Sequence, residues 1–137
     1  MLRYLFFLFV SISFLCCSGN SQDNTLSDIT TTLNSTNVYL KIYNQDNSIY
    51  YEMKMDDVNV LSSSISGAKK RIAKIPAYYW IECKKNGQIV LSIGFSEDCN
   101  GFKCNGVSFI IDNDRALELI CLFNQIKTKR QTSHDYH

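Results

Sequence analysis

Apolar and polar residues alternate along two stretches of the chain, residues 38–43 and 49–55. A period of two is typical of β-strands that bury one face against a core. We predict that the two stretches form a hairpin around a loop of residues 45–48, in a register that places Leu40 beside Met53 on the buried face.

A second hairpin is predicted around Asn86 and Gly87. This dipeptide is a strong turn signal because both residues tolerate the positive φ that a two-residue hairpin turn requires. Both faces of this hairpin are largely apolar, so we expect it to lie in the centre of a sheet, covered on both sides. The predicted pairs are Tyr78 with Phe95, Trp80 with Ile93, and Glu82 with Leu91.

The remaining segments predict fewer regular elements. Residues 56–75 have no clear period, and we interpret them as one irregular strand or a long loop. Residues 107–111 form a short apolar strand, and a helix follows from Asp112 or Asn113 to about Lys127. Its predicted core stripe consists of Ala116, Leu119, Ile120, Phe123 and Ile126.

Together these elements predict one α+β domain over residues 38–127, with a curved antiparallel sheet of five to seven strands followed by one C-terminal helix. The layout resembles that of pleckstrin-homology-like domains. Residues 20–37 are rich in Ser, Thr, Asn and Asp and predict a flexible linker. Residues 128–137 are polar and predict a disordered tail.

The first 19 residues have the pattern of an export signal. Arg3 lies at the start of an apolar run over residues 2–15, which is shorter than the roughly 20 residues that a spanning helix needs. Cleavage after Gly19 would release the chain. The segment before Cys17 also resembles a bacterial lipoprotein signal, which implies lipidation of Cys17 and a membrane tether. Both forms place the protein outside the cytoplasm, either secreted or periplasmic, or anchored to the outer face of a membrane.

Four cysteines follow the leader, and an even number is typical of an oxidising compartment. Cys99 and Cys104 are the easiest pair to close, because Asn100-Gly101 offers a tight turn between them. That bond leaves Cys83 to pair with Cys121. Four buried thiols, or a zinc ion held by four thiolates, are the alternatives.

The sequence offers little catalytic chemistry. Both histidines lie in the last four residues, where nothing holds a general base in place, and the acidic candidates are carboxylates of residues 97–98 and 112–114. The 14 basic and 13 acidic residues include Arg3 of the leader, so the exported chain is formally neutral. Neutrality argues against nucleic acid as a partner. We predict no cofactor and no catalytic or metal-binding residues.

Two surfaces have the composition of a recognition site. Tyr39, Tyr43 and Tyr50 share one predicted face with interleaved charges, and Phe102 and Lys103 lie at the tip of the predicted disulfide-closed loop. We therefore expect an exported, non-enzymatic domain of the inhibitor or immunity type that binds another protein. The alternatives are a membrane-anchored accessory lipoprotein and a small secreted hydrolase that uses carboxylates.

Overall fold

The computed structural model describes residues 25–43 and 48–134. Three helices and seven strands are present in these ranges. The helices are α1 (Thr25–Ser35), α2 (Met55–Ser66) and α3 (Asn113–His134). The strands are β1 (Asn37–Tyr43), β2 (Ser48–Glu52), β3 (Lys69–Lys70), β4 (Tyr79–Lys85), β5 (Gln88–Phe95), β6 (Gly101–Cys104) and β7 (Val107–Ile110).

The strands form one open antiparallel sheet in the order β2-β1-β4-β5-β6-β7-β3. The α+β class, the strand number and the C-terminal helix are confirmed. The inner face of the sheet contributes to one hydrophobic core with residues of all three helices. Phe123 of α3 lies at the centre of this core, with its ring centroid 5.0 Å from that of Tyr79 and 5.8 Å from that of Phe95.

The first hairpin has the predicted faces but a different register. Leu40 pairs with Tyr51 and Ile42 with Ile49, so the prediction of Leu40 beside Met53 is wrong by two residues. Strand β2 begins at Ser48, which was predicted as the last loop residue, and the other predicted loop residues lie outside the described part of the chain. A shift of two positions preserves the side on which each residue lies, because side chains alternate with a period of two.

The second hairpin turns at Asn86 and Gly87 as predicted, with φ angles of 54° and 78°. A β-bulge between Cys83 and Lys84 then shifts the register by one residue, so that Ile81 pairs with Ile93. The straight pairing predicted from the turn is therefore wrong beyond this point. The bulge gathers the apolar side chains onto the inner face. Those side chains are Tyr79, Ile81, Cys83, Leu91, Ile93 and Phe95.

Residues 56–75, interpreted as a strand or loop, mostly form helix α2 followed by the short strand β3. The apolar residues Val58, Leu61 and Ile65 of α2 recur at helical spacing and are buried. Asp56 and Asp57 lie in the first turn, where negative charge favours the helix dipole.

Helical structure also extends beyond the predicted domain at both ends. Helix α1 lies within the predicted linker. It packs on the domain because Ile29 and Leu33 are one turn apart and both are buried in the core. Helix α3 continues to His134 through the predicted tail, which contains no glycine or proline to end it. In α3, Leu122 is buried while Ile120 is only half-buried, a small change to the predicted stripe.

Residues 71–78, the crossing segment, run over the outer face of the sheet, the face that the helices do not cover. The main-chain N–H of Arg71 donates to the carbonyl of Ser108, and the Ser108 hydroxyl donates to the carbonyl of Ala73, both at 3.0 Å. The segment packs over Gly94 and Gly101, whose missing side chains leave room for it. It therefore covers part of the outer face of β5, β6 and β7, at Gly94, Gly101 and Ser108, and leaves that of β2, β1 and β4 open.

Gly94→Ala should destabilise the protein by about 1–3 kcal/mol, because the added Cβ would overpack the crossing segment. That atom would lie 2.9 Å from the Cβ of Ala77 and 3.2 Å from the ring of Trp80. Urea unfolding followed by the fluorescence of Trp80, the only tryptophan, measures the loss. Gly67→Ala is the control, since an added Cβ there meets nothing within 4 Å. Equal losses for the two variants would contradict this account of the crossing segment.

Candidate functional site

Six side chains form a group on the open part of the outer sheet face. We call this surface the basic aromatic face, and it consists of Tyr39, Lys41, Tyr50, Trp80, Glu82 and Lys84. Strand pairing assembles it, because Lys41 of β1 lies between Tyr50 of β2 and Trp80 of β4. Tyr39 of β1 lies between Glu82 of β4 and Glu52 of β2, and the exposed Glu52 borders the surface. Side chains opposite one another across antiparallel strands share a face and are in contact.

The two lysines of this surface lie against tyrosine rings. The ammonium of Lys84 is 5.1 Å from the ring centroids of both Tyr39 and Tyr50, and that of Lys41 is 5.5 Å from the centroid of Tyr50. These distances fall within the range of cation–π attraction, about 6 Å. The contacts join strands β2, β1 and β4 through their side chains as well as their backbones.

Glu82 lies beneath these groups and is only 5% exposed. One of its carboxylate oxygens, Oε1, accepts a hydrogen bond of 3.4 Å from the ammonium of Lys41. The other, Oε2, is buried and has no hydrogen-bond partner among the described residues. Burial of a carboxylate is tolerated where a cation compensates its charge, so the Lys41 pair holds Glu82 in this position.

The charge of Lys41 is retained by its surroundings. Burial tends to lower the pKa of Lys41, but a hydrogen bond with Tyr50 and the negative charge of Glu82 outweigh burial, so the pKa is raised. Lys41 is therefore positively charged at neutral pH, and the surface presents two ammonium groups.

Of the predicted binding residues, Tyr39 and Tyr50 lie on the basic aromatic face. The side chain of Tyr43 lies outside the described part of the chain. Lys84 was not among the predicted binding residues, and Trp80 and Glu82 were predicted on the apolar face of their hairpin. Their alternation along β4 does put them on one common face, but neither the bulge nor the pairing of β4 with β1 is visible in the local sequence.

The second predicted surface is not a loop tip. Phe102 and Lys103 belong to strand β6, and the turn falls later, at Asn105 and Gly106, with φ angles of 50° and 78°. Phe102 is fully buried, with its ring centroid 4.9 Å from that of Phe109. Its placement at a binding tip is therefore wrong. Lys103 is exposed on the outer face, opposite Gly94.

The four cysteines of the described residues are free thiols. Cys104 is the last residue of strand β6, which begins two residues after Cys99, and the four extended residues of that strand span about 10 Å, beyond the Cα separation that a disulfide bridges. Cys83 is buried on β4 and Cys121 is exposed on α3. Neither predicted bond is formed in the structure, and the disulfides stay a prediction.

Burial also controls the chemistry of these thiols. Desolvation raises the pKa of Cys99 to about 12, with a smaller contribution from the charge of Asp98. It raises the pKa of Cys104 to about 11, with help from nearby Cys83, whose own pKa is also raised by burial. The thiolate is the reactive form, so these three side chains are inert at neutral pH.

Two of the residues predicted as acid–base candidates, Asp98 and Asp112, accept local hydrogen bonds. Asp98 accepts hydrogen bonds from the Ser96 hydroxyl at 2.6 Å and from the main-chain N–H of Asn100 at 3.2 Å. These bonds favour the ionised form and lower the pKa of Asp98, so its oxygens stabilise the loop between β5 and β6. The carbonyl of Asp112 accepts the bond from the N–H of Ala116 that begins helix α3.

Within residues 25–43 and 48–134, no group of three His, Cys, Asp or Glu side chains is placed to hold a metal ion. In the same ranges, no helix combines the length and the hydropathy needed to cross a bilayer. Comparisons of the chain with protein-family models, curated proteins and solved structures find no match. The functional argument therefore depends on the residues of this chain, among which the basic aromatic face is the best-defined candidate for a binding surface.

Alkylation should distinguish the four thiols. Iodoacetamide applied to the native protein should modify Cys121 and spare Cys83, Cys99 and Cys104 until denaturant is added, because only Cys121 is exposed. Peptide mapping by mass spectrometry identifies each modified site, and the intact mass tests whether the predicted leader is cut. Protection of Cys121 together with a peptide that links Cys83 and Cys121 in the non-reduced map would instead show the predicted bond.

The free energy of unfolding should fall as the pH rises from 9 towards 12. In the unfolded chain the thiols ionise near pH 9, whereas the folded pKa of Cys104 is about 11, so the unfolded state binds fewer protons in this interval. Cys104 alone then accounts for a loss on the order of 2 kcal/mol. Urea titrations across this pH range measure the slope. Cys104→Ala should make it shallower, and an unchanged slope would contradict the assignment.

Proposed function

We propose that this chain is an exported, non-enzymatic binding protein that docks a protein partner on its basic aromatic face. The observation that carries the proposal is the layer of aromatic and charged side chains on β2, β1 and β4, where the crossing segment leaves the outer sheet face open. In this proposal the chain acts as an inhibitor or an immunity-type protein, and the partner is the protein that it inhibits or neutralises.

The composition of the surface supports this role. Tyrosine and tryptophan dominate the energetics of protein interfaces, because their rings bury a large area with little loss of conformational freedom. Tyr50 is 39% exposed, and Tyr39 and Trp80 are half-buried, so the rings are ordered but still accessible. These residues can bury further area when a partner covers them.

The scaffold supports the proposal as well. All six side chains project from strands rather than loops, and the lysines brace the rings. A surface that is already ordered loses little entropy on binding, which favours affinity. The helices occupy the opposite face of the sheet, so a partner can approach without displacing any part of the core.

We propose that the protein acts outside the cytoplasm, on the basis of its first 19 residues. The pattern of residues 1–19 supports export, and these residues lie outside the described part of the chain. Binding through the outer sheet face is compatible with a released domain and with one tethered through lipidated Cys17. An accessory lipoprotein would then use the same surface at the membrane.

Site-specific photocrosslinking tests the proposal. p-Benzoylphenylalanine placed at Tyr50 of the full chain, expressed in the source organism, should give one discrete protein adduct on irradiation. The adduct should disappear when unlabelled wild-type protein is added in excess. The matched control carries the same group at Leu117, which is 61% exposed on helix α3 and remote from the basic aromatic face.

The adducts formed at positions 50 and 117 show whether a partner docks on the basic aromatic face. A competed adduct at position 50 and none at position 117 supports docking on this face. Identical adducts at the two positions, or adducts that excess protein does not suppress, would rule out the proposed surface.

A further inference from the structure

Charged side chains lie on both sides of the sheet. The helix layer carries Asp28, Asp56, Asp57, Asp114 and Glu118, together with Arg115, Lys127 and Lys129. On the strands, the outer face carries Lys41, Lys84 and Lys103. Glu52 is the exposed carboxylate of the described strands and lies opposite Tyr39, whereas Glu82 is buried and already bonded to Lys41. The lysines of the outer face therefore outnumber its one exposed strand carboxylate.

The ammonium of Lys84 is available for a further charged group. Its contacts are with the rings of Tyr39 and Tyr50, and no carboxylate of the described residues lies within ion-pair distance of it. A cation over a ring face keeps its N–H donors free to meet an anion from the solvent side.

Lys41 is the second cation of the pair. Its bond to Glu82 is long, at 3.4 Å, and its side chain is 22% exposed. Tyr50 lies against both ammonium groups, with Lys41 at 5.5 Å and Lys84 at 5.1 Å from its ring centroid. Two positive charges therefore flank one accessible aromatic ring.

We infer that the segment of the partner that docks here is an acidic peptide, whose carboxylates bind Lys41 and Lys84 while its apolar atoms cover Tyr50. This inference rests on the proposed function and adds the chemistry of the partner. Charge complementarity carries it, because two ammonium groups attract carboxylates and repel a basic segment.

Titration with model peptides tests the inference. A peptide with six consecutive glutamates should bind the full-length native protein at low salt, with a change in the fluorescence of Trp80. Its dissociation constant should rise with salt, as charge screening requires. Peptides with six glutamines or six lysines in the same frame should bind at least tenfold more weakly.

Matched lysine variants locate the site. Lys84→Gln and Lys41→Gln should each weaken binding of the glutamate peptide about fivefold, the effect of removing one partly exposed ion pair. Lys84→Arg should retain binding, since it keeps both the charge and the ring contact. Lys70→Gln is the control, because Lys70 is an exposed lysine on β3, at the far edge of the sheet.

Three results would overturn the inference: equal binding of the glutamate and glutamine peptides, tighter binding of the lysine peptide, or the same weakening by Lys70→Gln as by Lys84→Gln. Crosslinking from position 50 separates this failure from that of the proposed function. If the acidic peptide does not bind but a competed adduct still forms, only the chemistry of the partner is wrong. If no competed adduct forms either, docking on this face is wrong as well.

Discussion

The register of β4 against β5 decides what each face of the sheet carries. A straight hairpin from the Asn86-Gly87 turn would place Glu82 on the same face as Ile93 and Phe95, against the helices. A carboxylate in that position would be buried with no cation beside it, at a cost of several kcal/mol. The bulge at Cys83 and Lys84 disrupts the ladder at one point, and the inner face becomes continuously apolar.

The core and the surface both follow from that register. With Ile81, Ile93 and Phe95 turned inward, Phe123 of α3 has a flat apolar face to pack on. With Glu82 turned outward, its carboxylate meets Lys41 of the neighbouring strand. The same backbone feature therefore separates a hydrophobic core from a charged aromatic surface on opposite sides of one strand.

The route of the chain sets the extent of that surface. β3 lies at one edge of the sheet and β4 near its centre, so the crossing segment must pass β7, β6 and β5. It passes over the outer face, where Gly94 and Gly101 allow close approach. The side chains on β2, β1 and β4 remain uncovered, and there the lysines lie on the tyrosine rings. The path of the crossing segment therefore decides which strands of the outer face are covered and which are exposed.

The sequence by itself determined the features that depend on neighbours along the chain. The period of two put Tyr39 and Tyr50 on one face, Asn86-Gly87 specified a turn, and the helical stripe located α3. Tertiary structure decided the rest: the bulge that turned Glu82 outward, the burial of Phe102 and the helices outside the predicted domain. These features depend on free energies of burial summed over residues far apart in sequence. A local sequence pattern does not specify which distant strand or helix will cover a given segment.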